Sequence, residues 1–445
     1  MECLQVAWPL VLAMASNAIM MFADRLFLSN YSAVSIQAAL PAGVVAFIAI
    51  SFLQNVVAYS GTFVAQYSGA GARAACARAM GQGLWLSVLC IPLLLLSIPA
   101  GNLLFDLAGH APEVVVEEKS YYLALVIGNI AMPFAAALSG FFTGQGYTRL
   151  VMAANVIGNA ANVILDPFFI WGWCGLPELG IVGAGVATAI SQFLILAILA
   201  VAIIPERHLS TPQRRRVAFV WKTPLMWRIT RFGLPSGGHV LLDVSAFAIF
   251  TFVSGKLDAA SFAASNIALS INHLIFAPLM GISIAATILT GQRMGDGDPK
   301  GAVRVGRNCV AIGWTYILIC TLILGLFSTP IVKMFYPPDA TFTAEHFLEI
   351  GTKLVWIFLA WAWFDTLNII LGGALKGAGD TRFVLCWIAG KSFFFWIPLL
   401  LTCYNLGVGI VGLWLTMLAD VSLAGTGLFL RFLSGRWKNI EVIER

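Results

Sequence analysis

Apolar residues occur in twelve continuous runs along the chain, separated by polar or glycine-containing stretches. The runs cover residues 6–28, 41–66, 83–105, 120–143, 150–172, 181–204, 232–254, 265–290, 308–328, 350–374, 382–402 and 409–432. Each run is long enough, at about 20 residues, to cross the hydrocarbon core of a bilayer as a helix. Continuous runs without alternation of apolar and polar positions exclude a transmembrane β-barrel. The pattern therefore predicts an all-α integral membrane protein with twelve transmembrane helices.

The composition agrees with a membrane protein. Of the 445 residues, 60% are hydrophobic and only 11% are charged, and the mean hydropathy is +0.88. A soluble domain carries about 25% charged residues, so this chain could not maintain a water-facing surface. The eight cysteines are scattered without a C-x-x-C pair, which favours apolar packing over a disulfide or metal framework. The first apolar run lacks a preceding basic segment and a small-residue cleavage site, so we interpret it as a retained helix.

Basic residues are distributed unequally between the two sets of loops. With a cytoplasmic N-terminus, the cytoplasmic segments contain 20 of the 26 Lys and Arg residues, and the opposite face contains only Lys119, Lys256, Lys333 and Lys353. This bias follows the positive-inside rule and predicts that both termini are cytoplasmic. The long polar connection, residues 205–231, includes the sequence RRR. We interpret it as a linker close to anionic headgroups rather than as a nucleic-acid patch.

The two halves of the chain resemble each other. A shift of 226 residues places Pro9 on Pro235 and QYSGAG (66–71) on QRMGDG (292–297), and a shift of 233 places TGQGYTR (143–149) on KGAGDTR (376–382). Each half contains six predicted helices, so both halves enter the membrane from the same side. The repeats are therefore parallel, as in transporters whose halves move about a central site.

Six stretches of the sequence resemble the multidrug and toxic compound extrusion (MATE) transporters. They are FADRLFLSNYSAVSIQAALP, FVAQYSGAGA, GFFTGQGYTR, NVILDPFFIWG, GIVGAGVATAISQ and GGALKGAGDTRF. The resemblance covers nearly the whole chain and implies two pseudo-symmetric six-helix lobes. These would be an N-lobe of residues 1–204 and a C-lobe of residues 232–433, joined by the linker 205–231 and followed by a cytoplasmic tail, 434–445. The resemblance also implies a bacterial inner-membrane protein that exports amphipathic, often cationic, compounds in exchange for H⁺ or Na⁺.

Five acidic residues lie at membrane depth: Asp24, Asp166, Asp243, Asp365 and Asp420. An ionisable group within a span is energetically costly and indicates a functional site by default. The internal repeat aligns none of these five acids with another acid. The two lobes are therefore expected to differ in their chemistry while sharing one scaffold.

Asn162 and Asp166 are four residues apart, which places them on one face of a helix. Pro167 removes a backbone donor and so frees a carbonyl near the acid. Such oxygens could bind a small cation, or the carboxylate could bind a proton because burial disfavours its charged form. The resemblance, here to the DinF-like branch, adds Asp24 and Thr188 and implies a cation site, possible for Na⁺, made of all four residues. The alternative is that Asp166 is a structural cap or pairing partner.

The resemblance also places a second cation or substrate site in the C-lobe, at Asp243 and Asp365, where NorM-like relatives carry acids. His239 lies four residues before Asp243, and it could relay protons or make a polar helix contact. Lys391 near these acids would either form an ion pair with them or exchange with cargo and protons, and we favour the ion pair. For Asp420 we expect a tethering hydrogen bond.

These features favour a cation-coupled multidrug antiporter that works by rocker-switch alternating access. The alternative is a lipid-linked oligosaccharide flippase of the wider superfamily, which would need several cationic side chains for a pyrophosphate. The spans offer Arg25 and Lys391 at most. A channel filter and the motifs of hydrolases, metalloenzymes and phosphate-binding loops are absent from the sequence, so we expect neither an enzyme nor a cofactor. The expected partners are small-molecule drugs or toxins and the lipid bilayer, without nucleic acid, and the expected state is a monomer.

Overall fold

The structure is a computed structural model that describes residues 2–204, 218–336 and 342–444. Within these ranges the regular structure is helical. Twelve segments are long and apolar enough to cross a membrane, so the predicted all-α, twelve-helix fold class is confirmed. The protein is a multi-pass membrane protein of this fold.

Three of the twelve spans consist of more than one helix, because the chain bends within the apolar run. In the first half the helices are α1 (Glu2–Tyr31), α2 (Ala33–Ala58), α3 (Ser60–Gly69), α4 (Arg73–Leu107), α5 (Pro112–Gly128), α6 (Ala131–Gly144), α7 (Thr148–Ile170) and α8 (Ile181–Ile203). In the second half they are α9 (Thr223–Ser254), α10 (Ala259–Gly295), α11 (Pro299–Leu326), α12 (Ser328–Met334), α13 (Ala344–Ala378), α14 (Thr381–Lys391), α15 (Ile397–Asn405) and α16 (Gly409–Ser434). A π-helix, Ser392–Trp396, joins α14 to α15.

Local sequence signals explain several helix ends. The Ser32 side chain accepts hydrogen bonds from the first backbone N–H groups of α2, and Asp298 does the same for α11, which begins with Pro299. Both are standard ways to satisfy the free donors at a helix start. Gly379 ends α13 in the left-handed region at a φ of 100°, a conformation that favours glycine.

Large apolar side chains cover much of the outer surface of these helices. Leu96 is 68% exposed, Leu107 74% and Phe394 88%. In water, such a continuous apolar surface would cause aggregation, whereas hydrocarbon tails solvate it without cost. The exposed surface thus agrees with the prediction made from the apolar runs.

The chain forms two compact units. The amino-terminal unit contains residues 12–241, 291–297 and 442–445, and the carboxy-terminal unit contains residues 1–11, 242–290 and 298–441. Each unit therefore takes most of its helices from one half of the chain and short segments from the other. The lobe boundaries expected near residues 204 and 232 stay predictions.

The amino-terminal unit has a continuous apolar core. It draws Leu28 from α1, Ile50 from α2, Leu94 from α4, Tyr122 from α5 and Ile170 from α7, each at most 4% exposed. Interdigitated side chains of this kind hold several helices in fixed register. The core therefore fixes the positions of polar side chains that project from the same helices.

Two glycines allow the end of α3 to cross the end of α10 within the amino-terminal unit. A Cβ atom added to Gly69 would lie 1.9 Å from the carbonyl oxygen of Gln292, and one added to Gly295 would lie 1.9 Å from the carbonyl oxygen of Gln66. Gln292 also donates a hydrogen bond from Nε2 to the carbonyl of Gly144 at 2.9 Å. Because the internal repeat aligns Gln66 with Gln292 and Gly69 with Gly295, the crossing is reciprocal.

The predicted linker is only partly described. Residues 205–217, which include the RRR sequence at 214–216, lie outside the described residues. After them, the chain packs along α4: Gln82 donates from Nε2 to the carbonyl of Val220 at 2.9 Å and accepts from the backbone N–H of Lys222 at 2.9 Å. The end of the linker is therefore held against the amino-terminal unit.

The tail that follows α16 is also packed. In the carboxy-terminal unit, the fully buried Trp437 stacks on Phe432 with ring centroids 5.2 Å apart. In the amino-terminal unit, Arg228 pairs with Glu444 and donates from Nη2 to the carbonyl of Val442 at 2.6 Å. The last residues of the described chain are thus fixed by specific contacts.

Candidate functional site

The four residues of the predicted N-lobe cation site lie together in the amino-terminal unit. α1 carries Asp24, α7 carries Asn162 and Asp166, and α8 carries Thr188. Asn162 and Asp166 are fully buried and Thr188 is 9% exposed. Asp24 is half-buried. Residues far apart in the sequence therefore form one polar cluster, which we call the Asp24–Asp166 cluster.

Asn162 connects the other members of this cluster. In the amide orientation that satisfies both of its ends, Asn162 donates from Nδ2 to Asp24 Oδ1 at 2.8 Å and accepts from the backbone N–H of Thr188 at 3.1 Å. The Thr188 hydroxyl lies 3.3 Å from this amide and donates to the carbonyl of Ala184 at 2.9 Å. A buried amide with partners at both ends is held in one orientation, so Asn162 fixes the position of the Asp24 carboxyl.

The carboxyl groups of Asp24 and Asp166 lie next to each other. Among the residues that the structure describes, neither oxygen of Asp166 meets an N–H or O–H donor. Two adjacent ionised carboxylates repel each other, so such a pair is stable only when it shares a proton or holds a cation. The geometry thus gives this cluster the capacity to bind one small positive ion.

Close helix packing brings α7 and α8 within reach of each other. A Cβ atom added to Gly183 would lie 2.3 Å from the carbonyl oxygen of Phe169, and one added to Gly158 would lie 2.3 Å from Ile195 Cγ1. Small residues at helix contacts allow this kind of approach. The two glycines therefore place the polar face of α7 against Thr188.

Sequence reasoning missed Tyr121, which α5 carries into the same region. Tyr121 is 7% exposed, and Asp24 and Asp166 both act on it electrostatically. No spacing in the sequence relates it to either acid, because its proximity depends on the packing of α5 against α2 and α8.

The carboxy-terminal unit holds a second group of charged residues, which we call the Lys391 cluster. It contains Asp243 on α9, Asp365 and Lys376 on α13, Lys391 at the end of α14 and Asp420 on α16. Asp243 interacts electrostatically with Lys376, Lys391 and Asp420, and Asp365 interacts with Asp243, Lys391 and Asp420. The structure therefore brings together Asp243, Asp365 and Lys391, as the sequence analysis expected.

The ion pair expected for Lys391 is present, but its partner differs from the expected one. Lys391 Nζ pairs with Asp420 Oδ2, and both side chains are 7% exposed. We expected Asp243 or Asp365 as the partner, and we expected Asp420 to make only a tethering hydrogen bond. The two residues are 29 positions apart on different helices, so no local pattern could have linked them.

The sequence analysis missed two further members of the Lys391 cluster, although the spacing of one of them could have revealed it. Asn368 donates from Nδ2 to Asp365 Oδ1 at 3.1 Å, and its spacing of three residues already places it on the same helix face. Lys376 was counted as a loop residue because the apolar run ends at 374, whereas α13 continues to Ala378. His239 precedes Asp243 on α9 but belongs to the amino-terminal unit.

Known proteins resemble this chain in sequence and in fold. The chain is 27% identical to the "Probable multidrug resistance protein NorM" of Bradyrhizobium diazoefficiens, over 97% of this chain and 92% of that protein. It is 28% identical to the protein of the same name from Pseudomonas aeruginosa, over 99% and 90%. The crystal structure of the eukaryotic MATE transporter AtDTX14 has a TM-score of 0.83 at 17% identity, over 98% of this chain and 96% of that chain.

The MatE family model matches residues 9–168 and 235–402. These two matches begin at Pro9 and Pro235, the prolines that the internal repeat aligns. The family consists of transporters rather than enzymes. Because the two matched segments together cover well over half of the chain, the resemblance seen in the motifs is confirmed and the chain belongs to the MatE family.

Proposed function

We propose that this protein is a multidrug efflux antiporter that exports amphipathic, cationic compounds in exchange for a small cation. It would work as a monomer in the bacterial inner membrane, with both termini in the cytoplasm and by alternating access. The relatives are named multidrug resistance proteins, which supports drugs as the class of exported compound. The excess of Lys and Arg in one set of loops supports the orientation.

The observation that carries the proposal is the pair of adjacent carboxyl groups in the Asp24–Asp166 cluster. In the described part of the chain Asp166 has no donor, so the carboxyl pair requires a positive ion, and a shared proton satisfies both acids with no further ligands. The proposed coupling ion is therefore H⁺. Na⁺ is the second candidate, because the cluster also offers carboxylate, amide and hydroxyl oxygens.

The coupling between ion binding and cargo binding follows from the energetic cost of an Asp24–Asp166 cluster that holds no positive ion. When the ion leaves, Asp24 and Asp166 hold two adjacent negative charges in a buried setting, which is unfavourable. The conformation with the cluster buried is then destabilised relative to one that admits water or a cationic cargo. Ion binding and cargo binding thus favour different states, and this difference is what an antiporter requires.

The lipid-linked oligosaccharide flippase is the less supported alternative. Its pyrophosphate group would need several unpaired cations. In the described spans, Lys391 is already paired with Asp420, and Lys376 interacts with Asp243.

The test is transport into proteoliposomes under a pure proton gradient and then under a pure sodium gradient. Wild type should accumulate a cationic dye under the proton gradient, and Asp166→Asn should lose this uptake while remaining folded. Asp106→Asn is the matched control, because Asp106 is an exposed acid that pairs with Lys119 at 2.5 Å, far in sequence from the cluster. Full transport by Asp166→Asn would refute the role of the cluster, and uptake driven by sodium alone would replace H⁺ with Na⁺.

A further inference from the structure

Lys391 and Asp420 form an ion pair that is almost completely buried, with each side chain 7% exposed. Removing two charges from water costs more free energy than their attraction usually returns. Such a pair therefore contributes little net stability compared with two apolar side chains. Stability alone therefore does not account for these two charges.

Lys391 is also within electrostatic range of two further acids. Its charge acts on both Asp243 and Asp365, so one amine lies among three carboxyl groups and contacts one of them. The second oxygen of Asp420, Oδ1, meets no donor among the described residues. The amine therefore has alternative negative partners close by.

The backbone at Lys391 departs from a regular α-helix. α14 ends at this residue, and the π-helix Ser392–Trp396 follows at once. Single π-turns within helices occur frequently at functional sites, where they redirect a side chain. The helix geometry therefore changes directly after the lysine.

We propose that Lys391 is a tethered cation that competes with cationic cargo for the carboxyl groups of the Lys391 cluster. Paired with Asp420, it leaves Asp365 to attract cargo; released from Asp420, it turns to Asp365 and displaces the cargo. Lys391 is thus a specificity-determining residue that keeps binding weak enough for release. The inference rests on the proposed export of cationic compounds.

Two substitutions test this role, because they should act in opposite directions. Lys391→Met removes the competitor and should tighten the binding of tetraphenylphosphonium by at least about fivefold, the lower range of energetic coupling between sites. Asp420→Asn leaves the amine free to face Asp365 and should weaken that binding by a similar factor. The loss of one charge by itself also acts in opposite directions in the two variants, so a variant of unchanged net charge is needed to separate competition from charge alone.

Binding is measured by calorimetry on purified protein in lipid nanodiscs at a fixed pH. Triphenylphosphine oxide serves as the uncharged probe, whose affinity neither variant should change. Lys353→Met is the matched control, because Lys353 pairs with Glu349 on the surface of α13. If wild type binds no tetraphenylphosphonium, the proposed function fails. If wild type binds it and the two variants shift in the same direction or not at all, only the present inference fails.

A lone buried charge could prevent a single variant from folding. The double variant Lys391→Met/Asp420→Asn avoids this problem, because it holds neither charge of the pair, and it is compared with wild type. These two proteins carry the same net charge, and the double variant, which lacks the competing amine, should bind tetraphenylphosphonium at least about fivefold more tightly than wild type. Equal affinities would overturn the proposal.

Discussion

Replacing Gly69 by alanine should destabilise the protein strongly, because the added methyl group has no space. Its Cβ atom would lie 1.9 Å from the carbonyl oxygen of Gln292, where ordinary van der Waals contact begins at 3.4 Å. The two backbones would have to separate by about 1.5 Å to reach that contact, given these two distances. Neither partner is the flexible end of a side chain, so no rotamer change can relieve the overlap.

Overpacking in a well-packed interior costs roughly 1–3 kcal/mol, and a clash between two backbones belongs at the upper end of that range. For Gly69→Ala we therefore expect a loss of about 3 kcal/mol, which corresponds to a fall in the unfolding midpoint on the order of 3 °C for a chain of this length. The assay is thermal unfolding of the purified protein in one detergent, followed by intrinsic fluorescence.

Gly43→Ala is the matched control within the same span, because its Cβ atom would meet nothing within 4 Å. It should keep or slightly raise the midpoint, since alanine favours a helix over glycine by about 1 kcal/mol. Gly295→Ala should repeat the loss at the reciprocal position, and the double variant should lose less than the sum because both changes open the same crossing. A Gly69→Ala protein that melts with wild type would show that the crossing does not exist as described.

Two further substitutions test other parts of the structure. Asn162→Leu removes the donor to Asp24 and the acceptor of the Thr188 N–H, so it should cost roughly 1–3 kcal/mol in stability and abolish proton-driven dye uptake; wild-type values in both assays would contradict the geometry. Trp437→Ala leaves a cavity where a fully buried ring stacks on Phe432 and should cost roughly 3–5 kcal/mol, measured as a fall in the unfolding midpoint; an unchanged midpoint would mean that the tail is not packed.

The sequence predicts the helices well, because bilayer thickness imposes a length and a hydrophobicity that can be read residue by residue. All twelve spans are found. The bends between α2 and α3 and between α5 and α6 were not predicted, since a turn of one or two residues leaves no mark in a continuous apolar run. The extension of α13 to Ala378 was missed for a related reason: Lys376 ends the apolar run but not the helix.

The candidate sites were predictable where local spacing or a family motif pointed to them. Asn162 and Asp166 share a helix face by their spacing, and the resemblance supplied Asp24 and Thr188. The partnership of Lys391 with Asp420 depends on which helices pack together and on the π-helix after Lys391, and neither can be read from spacing. Tyr121 was missed because its packing against two other helices is a property of the fold.

The division of the chain between the two compact units has a consequence for protein dissection. The first eleven residues belong with the second-half helices, and residues 223–241 belong with those of the first half. A cut in the connection before residue 218 would therefore produce two fragments that each carry segments whose packing partners lie on the other fragment. Expressed alone, each piece should be degraded, whereas co-expressed pieces should assemble by exchanging these segments.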